Sequence, residues 1–402
     1  MKKVLILLFS LLIIMGINFN SNAQNSGAYI KIYKKVTDIR KFGKEVVHPN
    51  CVLVYMSRSR SYVAYNVKTG QRYNIPSGFR INNYEKIKYY RDREYKSFSA
   101  GKVCMINPEK NEAGFLGYAY NRNMPRKSKY RNVYFYTCVD LETNSVKWTH
   151  FIGYRKYVWA ISPDKSLNHL YYYYKKAPFV YSFERLNLST KQVDWKYDLR
   201  IKRRYVRTYK GMKPPSLQTP FFTKNYENIV ATEYDEAPGK IKRPIVQTYI
   251  INVAKRKHYE NPSMITAYGQ VYDNKRSLYL VGSNQLSHLI QYYIKTAGYK
   301  KIRRVRVKRI PKGSFHYILS SQNKYVYVLT KTVFLAYTWP GLRLVKRIPI
   351  SRLFPGIPYF STSESMWVSN DRKYAAIGIM KKRGRYISSD RKKGFYVLEF
   401  GG

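Results

Sequence analysis

The sequence predicts an all-β fold built from a repeated unit. Residues that fit a pleated sheet are abundant, with 43 Tyr and 18 Phe in 402 residues. Short runs of alternating apolar and polar residues recur along the chain, separated by turns rich in Gly, Asn, Asp, Lys and Pro. These runs return at nearly regular intervals, and such self-similarity is typical of repeat architectures.

The first residues predict export. Lys2 and Lys3 precede an apolar run at 4–17, and small residues precede Gln24, so residues 1–23 have the features of a cleaved secretory signal. The alternative is an uncleaved N-terminal anchor, but the run is shorter than the ~18–20 apolar residues of a spanning helix. Residues 24–402 contain no such segment, which predicts a mature chain without a transmembrane span in the periplasm, at the outer membrane or on the cell surface.

Two kinds of segment recur. The first is a hairpin whose turn carries Asp or Asn followed by Thr, with stronger and weaker copies at 61–71, 133–148, 181–195, 247–258 and 333–345. The second is a polar turn that leads into an alternating strand, at 162–165, 273–279, 321–327 and 369–375. The turns at Asp273, Asn323 and Asp371 are 50 and 48 residues apart, against ~40–50 residues in known propeller repeats.

The pairing of these two segments resembles WD-repeat-like or quinoprotein-like β-propellers. Trp148 and Trp195 follow their hairpin turns, as in quinoprotein-like repeats, whereas the Trp-Asp dipeptide is absent. The resemblance covers nearly all of residues 28–400 and implies a fold, not an activity.

The resemblance implies a single β-propeller over residues 24–402, with seven blades. Six hairpins and a final strand run at 394–400 give this count, and the run at 28–33 would close the ring by pairing with the last blade. Residues 76–132 are an insertion or a divergent blade. Six or eight blades, an irregular β-sandwich and two smaller β domains are the alternatives.

Charge is the strongest functional signal. The chain carries 74 Lys and Arg against 23 Asp and Glu, a formal net charge of +51, where a soluble domain needs a magnitude of only ~2–8. Self-repulsion makes such an excess costly, so it indicates a polyanionic partner or environment.

The basic residues concentrate in runs, some interleaved with Tyr, a pattern that suits pairing with phosphates or carboxylates and stacking on rings. One run, at 126–131, lies in the possible insertion. The candidate binding residues come from the other three runs, of which 300–309 is interpreted as a charged edge strand and 381–393 as a loop. They are Lys202, Arg203, Arg204, Arg207, Lys300, Lys301, Arg303, Arg304, Arg306, Lys308, Arg309, Lys381, Lys382, Arg383 and Arg385.

Catalytic and metal-binding patterns are not evident. The six histidines are scattered, no nucleophile elbow or phosphate-binding loop occurs, and no metal ligand set or cofactor is predicted. Cys51, Cys104 and Cys138 are interpreted as small core residues, at most two of which could pair. The Tyr clusters at 89–90, 171–174 and 292–293 predict strand packing first, with a sugar-stacking or protein-binding surface as the alternative.

The sequence therefore predicts an exported, non-enzymatic binding or scaffold protein, possibly within an outer-membrane or cell-surface complex. Its expected partner is an acidic glycan, lipopolysaccharide, an anionic membrane surface or an acidic envelope protein, with extracellular nucleic acid also open. The enzymatic alternative is an acidic-polysaccharide lyase, in which Arg or Lys neutralises a uronate and His, Tyr or Lys acts as the base.

Overall fold

The structure is a computed structural model in which strands cover most of the described residues. It describes residues 27–36, 41–42, 46–56, 61–76, 89–91, 93–95, 97–125, 128–154, 156–201, 216–217, 220–222, 226–234, 246–261, 270–274, 277–284, 288–295, 302–309, 316–319, 324–330, 332–339, 341–354, 366–369, 371–378, 381–383, 386–388 and 395–401. The predicted signal at 1–23 lies outside these residues. In the described residues no helix is long and apolar enough to cross a membrane.

The first part of the chain forms one strand that pairs far away and three antiparallel sheets. Strand β1 is Tyr29–Val36. Sheet 1 contains β2 (Lys41–Phe42), β3 (Cys51–Met56), β4 (Ser61–Asn66) and β5 (Arg72–Ile75), and the short hairpin β6 (Tyr89–Tyr90) and β7 (Arg93–Glu94) follows it. Sheet 2 contains β8 (Ser97–Asn107), β9 (Glu112–Tyr120), β10 (Asn132–Asp140) and β11 (Val146–Gly153), with a 3₁₀ turn at Pro108–Lys110. Sheet 3 contains β12 (Lys156–Pro163), β13 (His169–Ala177), β14 (Val180–Asn187) and β15 (Gln192–Arg200).

Four further sheets complete the fold. Sheet 4 contains β16 (Ser216–Leu217), β17 (Phe221–Phe222), β18 (Asn228–Tyr234), β19 (Val246–Asn252) and β20 (Lys257–Asn261). Sheet 5 contains β21 (Gln270–Asn274), β22 (Ser277–Asn284), β23 (His288–Lys295) and β24 (Ile302–Arg309). Sheet 6 contains β25 (His316–Leu319), β26 (Tyr325–Leu329), β27 (Val333–Thr338) and β28 (Leu344–Pro349), followed by the short helix α1 (Ile350–Leu353). Sheet 7 contains β29 (Met366–Val368), β30 (Tyr374–Gly378) and β33 (Phe395–Gly401), and the hairpin β31 (Lys381–Arg383) and β32 (Tyr386–Ser388) lies between its last two strands in the chain.

Strand β1 joins the two ends of the chain. It pairs antiparallel with β33 and so becomes the fourth strand of sheet 7, with Lys31 opposite Glu399. Glu399 is buried and accepts hydrogen bonds from Lys31 Nζ at 3.0 Å and Tyr29 Oη at 3.1 Å. Burial alone would raise the pKa of this carboxyl, but the hydrogen bonds from Lys31 and Tyr29 and the nearby cations bring the pKa below its usual value. The N-terminal strand is thus held by charge as well as by backbone pairing.

The sheets pack face to face in chain order. Separate apolar clusters lie between sheets 7 and 1, 1 and 2, 2 and 3, 3 and 4, and 6 and 7. Phe183, for example, packs with Ile251 of the next sheet, and both side chains are fully buried. Four-stranded antiparallel sheets that stack in this way define a β-propeller, and the predicted all-β propeller fold is confirmed. The predicted blade number and ring closure stay predictions; the β1–β33 pairing is the contact that closure requires.

Four of the five repeated hairpins turn on an Asp or Asn side chain. Asp140 Oδ1 accepts from the backbone N–H groups of Glu142 and Thr143 at 3.0 and 2.9 Å, as in an Asx turn. The equivalent residues Asn66, Asn187 and Asn252 accept in the same way. The fourth residue after each has a positive φ; these residues are Gly70, Asn144, Lys191 and Arg256. The repeat seen in the sequence is therefore a repeat of backbone geometry.

These turns define two ends of the fold. The turn end carries the connections between first and second strands and between third and fourth strands, and the crossover end carries the remaining connections. Contacts between sheets join like ends: at the turn end, Lys68 of sheet 1 forms a salt bridge with Asp371 of sheet 7 at 2.9 Å, and Trp195 Nε1 of sheet 3 donates to the Val253 carbonyl of sheet 4 at 2.8 Å. The described sheets therefore share one orientation.

The tyrosine cluster at 171–174 divides between the two faces of sheet 3. Tyr172 and Tyr174 point to one face and donate to the buried Glu184 at 2.7 and 2.8 Å. Tyr171 and Tyr173 point to the other face and pack against sheet 4. The predicted packing role of this cluster is confirmed.

Three local expectations have definite outcomes. Strands β8 and β9 place most of 97–120 in sheet 2, so this part of 76–132 has the arrangement of a divergent blade. The interpretation of 381–393 as a loop was wrong for Lys381–Arg383, because β31 pairs with β32. The three cysteines are buried and free; burial raises the pKa of the Cys51 and Cys138 thiols to about 12, which keeps them protonated and unreactive.

Candidate functional site

The predicted binding residues divide between two places in the fold. Arg303, Arg304, Arg306, Lys308 and Arg309 lie on β24, which ends the strand order of sheet 5 in the described residues, as the edge-strand interpretation predicts. Lys381, Lys382 and Arg383 lie on β31. The remaining candidates lie outside the described residues: Lys202, Arg203, Arg204, Arg207, Lys300, Lys301 and Arg385.

Chain topology separates these runs further. Residues 202–215 join β15 to β16, 121–131 join β9 to β10, and 379–394 join β30 to β33, and all three connections start and finish at the crossover end. Residues 296–301, in contrast, join β23 to β24 at the turn end. Three of the four basic runs therefore belong to one end of the fold.

The two ends differ sharply in charge. In sheets 2, 3 and 7, the crossover-end connections 121–131, 201–215 and 379–394 carry five, six and seven Lys or Arg, with Asp390 as their single acidic residue. The turn-end connections of the same sheets carry five Lys or Arg and four Asp or Glu in total. In the connections of these three sheets, the excess positive charge therefore belongs to the crossover end.

Several acidic residues of these sheets are paired near the turn end. Glu112 pairs with Lys147 at 2.8 Å, and Asp194 pairs with Arg185 at 2.6 Å, both on strands near the turn end. Asp164 accepts from His169 Nδ1 at 2.9 Å within a turn-end connection. Because these carboxylates neutralise partners within their own sheets, they do not offset the cations of the crossover end.

The described part of the crossover end interleaves cations with aromatic rings beside sheet 2. The Arg93 guanidinium lies 4.2 Å from the centre of the Tyr130 ring, and Lys129 Nζ lies 4.8 Å from it. A hydrogen bond from Lys129, together with the charges of Lys129 and Arg93, lowers the pKa of the Tyr130 hydroxyl. A lowered phenol pKa means that the two cations favour negative charge at this hydroxyl group.

Packing beneath these side chains holds them in place. The Tyr95 hydroxyl donates to the Tyr130 carbonyl at 2.9 Å, and Asn121 Nδ2 donates to the Glu94 carbonyl at 2.9 Å. The Tyr154 ring packs edge-on against Tyr130, with the ring centres 5.0 Å apart. These contacts join the segment between sheets 1 and 2 to the connection 121–131, and they fix the position of the Tyr130 ring.

A second aromatic group lies on the face of sheet 3 that is turned toward sheet 4. Tyr157 and Trp159 are near-parallel, with ring centres 5.8 Å apart, and the Trp159 ring stacks on Tyr173 at 5.1 Å. Tyr157 is 64% exposed and Trp159 is 41% exposed. These rings were not singled out from the sequence; the alternation of Tyr157 and Trp159 directly after Arg155 and Lys156 is the signal that could have indicated them.

Of the comparisons with known proteins, the one with solved structures found chains similar to this protein. No family model matches the sequence, and no curated protein matches it. The chain is similar to a structure titled for the mitotic checkpoint complex, at 9% identity and TM-score 0.44, covering 92% of this chain and 91% of that one. It is also similar to the β-propeller domain of the Trilobed protease from Pyrococcus furiosus, at 12% identity and TM-score 0.44, covering 90% and 94%. A third similarity, to a prolyl endopeptidase, has 10% identity and TM-score 0.49 and covers 92% of this chain and 51% of that one.

Proposed function

We propose that this protein is an exported β-propeller that binds a polyanion at its crossover end. The observation that carries the proposal is the charge asymmetry of the two ends, since the crossover-end connections 121–131, 201–215 and 379–394 carry eighteen cations and one acidic residue. A surface of one sign attracts oppositely charged polymers and raises their local concentration. The secretory features of residues 1–23 support binding outside the cytoplasm, where acidic glycans, lipopolysaccharide and acidic envelope proteins are candidate polyanions.

The aromatic side chains support binding over mere solubility. Cations that only keep a protein soluble have no need of fixed geometry, whereas Arg93 and Lys129 are held over the Tyr130 ring. Such cation–ring contacts fix the direction of the charged groups and are worth roughly 0.5–1 kcal/mol each at exposed sites. A scaffold role in an outer-membrane or cell-surface complex is compatible with the same surface, if the partner protein is acidic.

The lyase alternative receives no support from the described side chains. His169, Tyr171 and Arg185 lie together on sheet 3, but Arg185 is paired with Asp194 and His169 with Asp164. An arginine that is already neutralised by a carboxylate is poorly suited to neutralise a uronate. Catalysis therefore forms no part of the proposal.

A salt titration of binding tests this function. The protein is titrated with a polyuronate oligomer, lipopolysaccharide and single-stranded DNA at a series of NaCl concentrations. If six to ten anionic groups are neutralised, affinity should fall about 10³–10⁵-fold between 50 and 200 mM salt on the scale known for nucleic acids. Failure to bind any of the three, or binding that salt does not weaken, would contradict the proposal.

A further inference from the structure

Tyr157 has an unusual backbone for an aromatic residue. Its φ is +54°, in the left-handed region that bulky side chains rarely adopt. The register between β12 and β13 shifts between Lys156 and Val158, so Tyr157 is the extra residue of a β-bulge. Bulges and strained residues of this kind are found where a side chain is redirected for a function.

Neighbouring structure fixes the bulge and its ring. The Tyr157 backbone lies beside the Tyr134 side chain of sheet 2. The Trp159 ring stacks on Tyr173 of the neighbouring strand β13. Tyr173 in turn stacks on Phe183 of β14, with ring centres 5.5 Å apart. Strand β12 also contacts β8 of sheet 2 and β17 of sheet 4. The bulge therefore presents the exposed Tyr157 ring on a stack of aromatic side chains. It lies where β12 begins, at the crossover end of sheet 3.

Two other described rings at this end are already covered. Arg93 and Lys129 lie over Tyr130, and the Tyr90 ring stacks on Phe151 with centres 4.7 Å apart. Nucleic acid strands need successive free rings for successive bases. Tyr157 and Trp159 instead form one stepped aromatic surface, which has room for one or two rings of a ligand.

We infer that Tyr157 and Trp159 form a sugar-stacking subsite, and that the polyanion held by the crossover end is an acidic polysaccharide of the polyuronate type. A pyranose ring presents an apolar C–H face and carries its carboxylate at the rim. The C–H face would lie on the exposed Tyr157 ring, while the carboxylates of this and neighbouring sugars would pair with the cations of the crossover-end connections. This inference rests on the proposed function and adds the class of ligand to it.

The test separates the ring from the charges. In Tyr157→Asn the ring is removed and a residue that tolerates positive φ replaces it, so the fold should not suffer. Tyr157→Phe keeps the ring, and Tyr33→Ala removes an exposed tyrosine of β1 as a matched control. Binding of a polyuronate oligomer and of oligothymidylate of equal charge is measured at 50 and 200 mM NaCl, with circular dichroism to confirm folding.

We expect Tyr157→Asn to weaken polyuronate binding about tenfold, equivalent to ~1.4 kcal/mol, without changing its salt dependence, because the ring displaces no counterions. Tyr157→Phe and Tyr33→Ala should bind as the parent protein does, and oligothymidylate binding should be unaffected by Tyr157→Asn. An equal or larger loss for oligothymidylate would assign the platform to bases and overturn the inference. Unchanged polyuronate binding in Tyr157→Asn would also overturn it while leaving the proposed function intact, and absence of salt-sensitive binding by the parent protein would remove both.

Discussion

Replacing six cations of the connection between sheets 3 and 4 with glutamine is expected to weaken polyanion binding about 100- to 1,000-fold at ~100 mM salt. The variant changes Lys202, Arg203, Arg204, Arg207, Lys210 and Lys213. Each cation that contacts the polymer adds about 0.7–0.9 to the slope of log affinity against log salt, so the slope should also become shallower. Isothermal titration with a polyuronate oligomer measures both effects.

A control variant with the same charge change is available on the outer strand of sheet 5. It replaces Lys301, Arg303, Arg304, Arg306, Lys308 and Arg309 with glutamine. Its cations lie on β24 and the adjoining turn-end connection, where charge protects a sheet edge from pairing. We expect its affinity to fall less than tenfold; equal losses in the two variants would show that binding follows total charge and not the crossover end.

The replacement Glu184→Ala is expected to lower the free energy of unfolding by about 3–5 kcal/mol. Glu184 is buried on β14, where it accepts from Tyr172 and Tyr174 and pairs with Lys196 at 3.1 Å. Its removal takes away the carboxylate that accepts from both buried tyrosine hydroxyl groups and that pairs with Lys196. Urea denaturation measures the loss.

Two further variants make this prediction specific. Glu142→Ala removes an exposed carboxylate and should change stability by no more than ~0.5 kcal/mol. Combining Glu184→Leu with Tyr172→Phe and Tyr174→Phe removes the two hydroxyl groups together with the carboxylate that accepts from them, so it should recover part of the lost stability. A small effect of Glu184→Ala alone would mean that the sheet 3 core does not depend on this hydrogen-bonded group.

Local turn chemistry made much of the fold predictable from the sequence. Asp140 and Asn187 identify their hairpins because their side-chain oxygen accepts hydrogen bonds from backbone N–H groups two and three residues later. Such bonds stabilise a turn locally. The turn between β8 and β9 escaped prediction because Asn107 and Pro108 build a 3₁₀ turn instead. The acceptor for Tyr172 and Tyr174 also escaped it, since Glu184 reaches them only through the register of β13 with β14.

The candidate site was predictable in composition but not in position. Basic runs are visible in the sequence, yet the end of the fold to which a connection belongs alternates with every strand. Missing a single strand before residues 202–215 would therefore assign Lys202 and Arg203 to the wrong end. Tyr157 was beyond sequence reasoning for a related reason, because its exposure comes from a bulge that depends on the pairing of β12 with β13.

Hydrogen exchange of the backbone amides, measured with and without a polyuronate oligomer, tests the central claim most directly. Protection on binding reports which segments the ligand covers or orders. The account predicts protection in 121–131, 154–159 and 201–215, all at the crossover end, and unchanged exchange in β24 and in the turns that follow Asn66 and Asp140. Protection confined to β24 or to the turn end would contradict it.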